Sequence, residues 1–199
     1  AYKGSLGTSI LKAFDLTVSA TGLNEKTLKR NNIPYMVTTV NRNSHASYYP
    51  GATPLTLKLI FNKEGDILGA QAIGYKGVDK RIDIISTAIK GNLKVWDLQE
   101  VEVAYAPPYN SAKDPVNIAG YAAENMINGE HESFRYFEIE ELLKDSNYQL
   151  LDIRTNSEFN LGTIKDSLHI DLDTLRDNLD KLDKNKTYLV FCQVGLRGY

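Results

Sequence analysis

The strongest constraint on this chain is a change, near residue 130, in how its strand candidates are connected. Upstream, two apolar runs at residues 55–61 and 67–73 are joined through Lys63-Glu64-Gly65-Asp66. A link that short, with a glycine beside acidic residues, closes a hairpin and makes the two strands antiparallel. Downstream, strand candidates at 149–153, 168–170 and 187–191 are separated by helical candidates at 157–161 and 172–182. Strands that alternate with helices build a parallel sheet. Two units are therefore expected. Residues 1–129 read as α+β, an antiparallel sheet with helices on one face. Residues 130–199 read as part of an α/β unit with a parallel sheet.

Local patterns fill in the first unit. Leu55, Leu57, Leu59 and Phe61 alternate with Thr56, Lys58 and Ile60, so one strand face is apolar. Residues 14–18 and 35–40 give two more strand candidates, and Asn24 is placed to cap a helix over 25–31. Val78, Ile82, Ile85 and Ile89 recur at helical spacing until Gly91-Asn92, and another helix spans 115–127. Between these helices lies Tyr105-Ala106-Pro107-Pro108-Tyr109. Two adjacent prolines exclude regular helix and central strand there, leaving a rigid extended segment.

Composition excludes several functions. One cysteine in 199 residues rules out a disulfide framework or a multi-cysteine zinc site within the chain. The three histidines, His45, His131 and His169, are scattered, and no metal site is expected. No apolar run approaches the roughly 18 residues of a membrane span, so no membrane partner and a cytoplasmic location are expected. Net charge is −2, divided as +3 over residues 1–129 and −5 over 130–199, which argues against a nucleic-acid partner. Lys76, Lys80 and Arg81, with Lys113 further on, read as a solvated basic face or as a site for an anionic ligand. The chain opens on Ala1 within what reads as ordered structure, and is expected to be a fragment.

Cys192 follows the apolar run Tyr188-Leu189-Val190-Phe191 and precedes Gln193-Val194-Gly195-Leu196-Arg197-Gly198. The carboxyl end of a parallel strand is where open α/β sheets place ligands. A tight loop with two glycines can turn successive amides inward as an anion nest, and Arg197 adds a cation. Both lower a thiol pKa and favour the thiolate. The alternative is a buried structural cysteine.

The stretch Leu150-Leu151-Asp152-Ile153-Arg154, then Glu158-Phe159, Gly162-Thr163-Ile164 and the segment Cys192 to Arg197, resembles a rhodanese domain. The resemblance implies that Cys192 carries a persulfide sulfur held by the amides of Gln193, Val194, Gly195, Leu196 and Arg197. Thr163, where the family usually has histidine, and Asp166-Ser167, where Gly-Ala is common, depart from its pattern. Four residues separate Cys192 from Arg197, and related phosphatases use five, so the loop looks like the sulfur-handling type. About half of such a domain is expected here, without the helices that follow the loop.

A second resemblance rests on Gly4-Ser5-Leu6-Gly7-Thr8-Ser9, Phe14-Asp15, Thr21-Gly22, Tyr48-Tyr49-Pro50-Gly51, Asp79-Lys80-Arg81-Ile82-Asp83 and Tyr105 to Tyr109. Together these are similar to the C-terminal dimerisation domain of pyridine nucleotide-disulfide oxidoreductases, in the coenzyme A-disulfide reductase and NADH oxidase branch. The resemblance implies a homodimeric parent enzyme that uses FAD and NAD(P)H to reduce a coenzyme A disulfide, persulfide or polysulfide. The domains that bind those cofactors are expected to lie outside this chain, since Gly4-x-x-Gly7 lacks the dinucleotide spacing. It further implies that Tyr48 and Tyr105 reach the partner subunit's active site, with Tyr49 and Tyr109 as alternatives, and that Lys113 contacts coenzyme A. A tyrosine packed with its hydroxyl at the surface is the plainer reading. The isolated fragment is expected to bind no cofactor and not to be catalytically competent. Rival readings are an NADH oxidase or peroxidase of the same flavoprotein family, and a non-catalytic dimerisation module.

Overall fold

A computed structural model describes residues 4–199. They form two compact units that divide between His131 and Glu132.

In the first unit, β1 (Ser9–Ala13) and β2 (Leu16–Gly22) form a hairpin, followed by α1 (Glu25–Arg30) and β3 (Met36–Asn43). Then come β4 (Pro54–Phe61), β5 (Ile67–Gly74), α2 (Val78–Lys90), the single turn α3 (Asp97–Glu100) and α4 (Pro115–Ile127). The five strands lie in the order β1-β2-β5-β4-β3, every neighbour antiparallel. Leu55, Leu57, Leu59 and Phe61 turn one face of β4 into the core, where they share a cluster with Ile82 and Ile85 of α2 and Val116, Ala119 and Ala123 of α4. Each such side chain contributes about 1.5–3 kcal/mol on burial, so this row anchors both long helices to the same sheet face. On the opposite face, Lys58 pairs with Glu25 of α1. Asn24 caps α1 as its sequence implies, accepting from the Thr27 amide at 2.9 Å.

One strand expectation needs correcting. Phe14 and Asp15 do not open a strand; they are the two-residue turn between β1 and β2, where Ala13 pairs with Leu16. Phe14 takes a left-handed φ of 54° and is 99% exposed. The preceding strand β1 has every residue exposed, so it carries no buried alternation by which to be recognised.

The second unit begins with a 3₁₀ turn at Tyr136–Glu138 that runs into α5 (Ile139–Leu142). Three strands follow, β6 (Tyr148–Asp152), β7 (Leu168–His169) and β8 (Thr187–Phe191), with α6 (Asn156–Asn160) after β6. They form a parallel sheet in the order β7-β6-β8. Leu151, Ile153 and Ile170 make its buried core, with Val190 and Cys192 packed alongside. The helix expected over 172–182 is instead a 3₁₀ segment, Leu172–Lys181, broken at Asn178. Side chains there compete with the helix ladder: Asp171 accepts from the Asp173 amide, and Asn178 donates to the Thr174 carbonyl. Among the described residues, no helix is long and apolar enough to cross a membrane.

Candidate functional site

The loop between β3 and β4 carries Tyr48 and Tyr49, and the segment between α3 and α4 carries Tyr105, Tyr109 and Lys113. Although 57 residues apart in sequence, Tyr48 and Tyr105 bring their Oη atoms to 3.3 Å, on side chains 75% and 50% exposed. Hydrogen bonding to Tyr105 raises the Tyr48 phenol above the usual tyrosine range, with smaller contributions from shielding and from Tyr105 ionisation. Tyr49 lies elsewhere, its ring edge-to-face with His45 at 6.0 Å. The proline segment is not extended as expected but folds into a turn, in which Tyr109 is exposed and its amide closes back on the Ala106 carbonyl at 2.9 Å. Lys113 Nζ donates to Tyr121 Oη at 2.9 Å, and both residues line an open cleft of about 490 Å³ with Ser111 and Gln99.

The basic cluster is not a single solvated face. Arg81 is 1% exposed and turned inward, with Nε and Nη2 at 3.1 and 3.0 Å from Asp114 Oδ2. Its position on the buried face of α2, four residues before Ile85, was the available signal. Asp114 caps α4, accepting from the Val116 amide, while Asn117 reaches back to the Asp114 amide; neither Asp114 nor Asn110 stood out in the sequence.

In the second unit, Cys192 sits half-buried at the end of β8. Burial pushes its thiol pKa up, but amides of Val194, Gly198, Arg197 and Gly195 aim at the sulfur and together hold it below the ordinary thiol value. The loop can close because Gly195 adopts φ 84°, a region that favours glycine, with the Tyr199 amide donating to the Gly195 carbonyl. Of the expected loop residues, Val194, Gly195 and Arg197 supply amides to the sulfur and Gly198 joins them; Gln193, Val194, Gly195 and Leu196 are all exposed. The Arg197 side chain also hydrogen-bonds Cys192, and it forms a two-pronged ion pair with Glu158 at 2.7 and 2.8 Å. Arg197 and the capping contacts of Thr155 lower the Glu158 carboxyl to about 2. Behind this pair, buried Asp152 accepts from Arg154 Nη2 and Thr163 Oγ1 at 2.7 Å each. Thr163 thus has a partner of its own where the rhodanese pattern has histidine.

The first unit thus presents a pair of facing phenols, and the second a sulfur ringed by amides. A model of the pyridine nucleotide-disulphide oxidoreductase dimerisation domain matches residues 8–115, and a model of the rhodanese-like domain matches residues 137–199. The chain belongs to the pyridine nucleotide-disulphide oxidoreductase family through its dimerisation domain, and continues into a rhodanese-like domain. It is 45% identical over 124 residues to the coenzyme A disulfide reductase of Staphylococcus epidermidis, covering 62% of this chain and 28% of that protein. It resembles the crystal structure of reduced Bacillus anthracis CoADR-RHD with a TM-score of 0.96 and 55% identity, covering 100% of this chain and 36% of that one. A NAD-dependent persulfide reductase from A. fulgidus matches with a TM-score of 0.87 and 35% identity over 98% of this chain and 35% of its own. The chain thus spans about a third of the length of these proteins.

The family depends on FAD and NAD(P)H. A dinucleotide cradle needs a glycine-rich turn between a parallel strand and a helix. The first unit's sheet is antiparallel, and the turn after β6 runs through Ile153-Arg154-Thr155, without a glycine. The loop after β8 spends its amides on a sulfur. The described residues therefore do not form a cradle for either dinucleotide.

Proposed function

We propose that this chain is the sulfur-carrying and phenol-lending part of a homodimeric flavin-dependent reductase that acts on coenzyme A disulfide, coenzyme A persulfide or polysulfide. The observation that carries the reading is the ring of four amides around Cys192. A thiolate stabilised in this way attacks the terminal sulfur of a persulfide R–S–SH. The R–S bond partner leaves as R–S⁻ while Cys192 becomes Cys192–S–SH, so one sulfur–sulfur bond breaks and another forms with no net electrons moved. The same amides then face the outer sulfur of the persulfide. Releasing that sulfur as sulfide takes two electrons, which the remainder of the full-length protein supplies.

The first unit serves the leaving thiolate. A phenol is protonated at neutral pH, so Tyr48 can donate to a developing coenzyme A thiolate, with Tyr105 holding it in place. In this reading the two phenols act in the partner subunit's site and Lys113 meets a coenzyme A phosphate. An enzyme acting on oxygen or peroxide has little use for such a pair or for that lysine, which favours the thiol reading over the oxidase.

Replacing Cys192 with serine in the full-length enzyme tests the assignment. Persulfide turnover is expected to fall to a small residue while coenzyme A disulfide turnover stays near its starting rate. Equal loss of both activities would count against a carrier role for Cys192.

A further inference from the structure

We propose that Arg81 is the positioning residue that sets the contact between the Tyr48 and Tyr105 hydroxyls. This rests on the reading that the two phenols serve the substrate. Neither phenol is on a helix or strand; each rides a loop, and loops need an outside support to hold a 3.3 Å contact. Arg81 provides one from the rigid α2. Its Nη2 donates both to the Ser44 carbonyl and to Asn110 Oδ1, each at 3.0 Å. Ser44 begins the loop that carries Tyr48, and its hydroxyl accepts from the Thr53 amide at the other end of that loop. Asn110 ends the turn that carries Tyr105. Its amide donates to the Ala106 carbonyl, and its side chain reaches the Ala104 carbonyl, so it holds the backbone on both sides of Tyr105. A direct bond from the Ala46 amide to the Asn110 carbonyl joins the two loops a second time.

The remaining donors of Arg81 fix the guanidinium itself. Nη1 donates to the Gly77 carbonyl at 3.0 Å, and Asp114 takes the other edge. Gly77 sits at φ 70°, and a Cβ there would lie 2.1 Å from Nη1, so the glycine makes room for the arginine. Arginine is required because one planar fork must address four partners in fixed directions; the point charge of lysine cannot. The hydrogen bonds of Arg81 go to neither phenol. It acts by holding the loops.

The test compares Arg81→Lys, Asn110→Ala and the double variant Tyr48→Phe/Tyr105→Phe in the full-length homodimer. Asn110→Ala leaves the Arg81–Asp114 pair in place and serves as the second variant should Arg81→Lys fail to assemble with flavin. Displacing a reacting group by an ångström can lower a rate by about a hundredfold, and for a loosened loop we expect kcat for coenzyme A disulfide to drop about tenfold. KM for the nicotinamide should stay within about twofold, as its site is untouched. Adding Arg81→Lys to the double phenylalanine variant should lower kcat no further. Carbon-13 labelling at tyrosine Cζ, with the Tyr48 signal assigned by its loss in Tyr48→Phe, should show Tyr48 titrating lower in Arg81→Lys, toward an ordinary tyrosine. An unmoved Tyr48 titration, or a further fall on the phenylalanine background, overturns the clamp. Full turnover by the double phenylalanine variant would instead refute the use of the phenols, and the Tyr48 titration alone would then decide the role of Arg81.

Discussion

Two arginine–carboxylate pairs share the same chemistry in opposite surroundings. The side chains of Arg81 and Asp114 are 1% and 0% exposed, whereas those of Arg197 and Glu158 are 32% and 25% exposed. Burial turns the first pair into an obligation. Both charges are out of water, and each needs every partner it has. The second pair keeps contact with solvent, so its attraction is screened and its contribution to stability is small. What it does instead is aim a cation at a sulfur. The comparison separates two uses of one interaction: a buried pair that fixes backbone, and a half-open pair that sets charge.

The largest effect that could break this contrast comes from Asp114→Ala. It leaves the Arg81 guanidinium buried without its counter-ion and removes the cap of α4, and should destabilise the protein by about 3–5 kcal/mol. Urea unfolding of the full-length protein measures it. A loss no larger than that from removing Glu158 would erase the distinction. A smaller effect is expected at Gly195→Ala. No atom lies within 4 Å of the new Cβ, so the penalty is that of a left-handed backbone alone, about 1–2 kcal/mol. Any relaxation of that strain turns amides away from Cys192, so its alkylation by iodoacetamide should shift to higher pH.

The same contrast explains what could be read from sequence. Rows with a strong period, such as Leu55, Leu57, Leu59 and Phe61, or Val78, Ile82 and Ile85, face a core, and burial enforces their spacing. β1 was illegible because nothing covers it, and Phe14 because a turn residue with positive φ resembles any other aromatic in a strand. The 3₁₀ segment at Leu172–Lys181 has an apolar period, yet its Asp and Asn side chains draw backbone bonds away from the helix ladder. At the candidate sites, Cys192 stood out because it is the sole cysteine and ends a strand. Arg81 reads with its neighbours as a solvated basic face or an anionic-ligand site, because charge alone does not reveal which way a side chain points. Its partners Ser44, Asn110 and Asp114 come from three distant segments, and only the folded chain brings them together.

The smallest effect on stability, and the sharpest test of the contrast, belongs to Arg197→Gln. Glu158 is held at about 2 chiefly by Arg197, so its pairing supports the fold above the ordinary glutamate value and is lost as pH falls through about 2. Without the guanidinium, the Glu158 carboxyl should titrate higher, nearer the ordinary glutamate value, as read by carbon-13 NMR of the side-chain carboxyl. Cys192 also loses a cation, and its thiol pKa should rise. The rise should stop short of an ordinary thiol, because the amides of Val194, Gly195 and Gly198 still face the sulfur and are larger contributors than the side chain. Linkage then has a definite sign: a thiolate favoured by the fold adds stability above the pKa of an unfolded thiol, and that increment disappears as pH drops through the lower folded value. In Arg197→Gln the thiolate increment should shrink at alkaline pH, and the Glu158 contribution should be lost at every pH above the ordinary glutamate value, neutral pH included, though solvent screening keeps that loss far below the one in Asp114→Ala. A neutral-pH loss comparable to that of Asp114→Ala would mean that the half-open pair, too, is holding backbone, and the distinction between the two arginines would be one of degree.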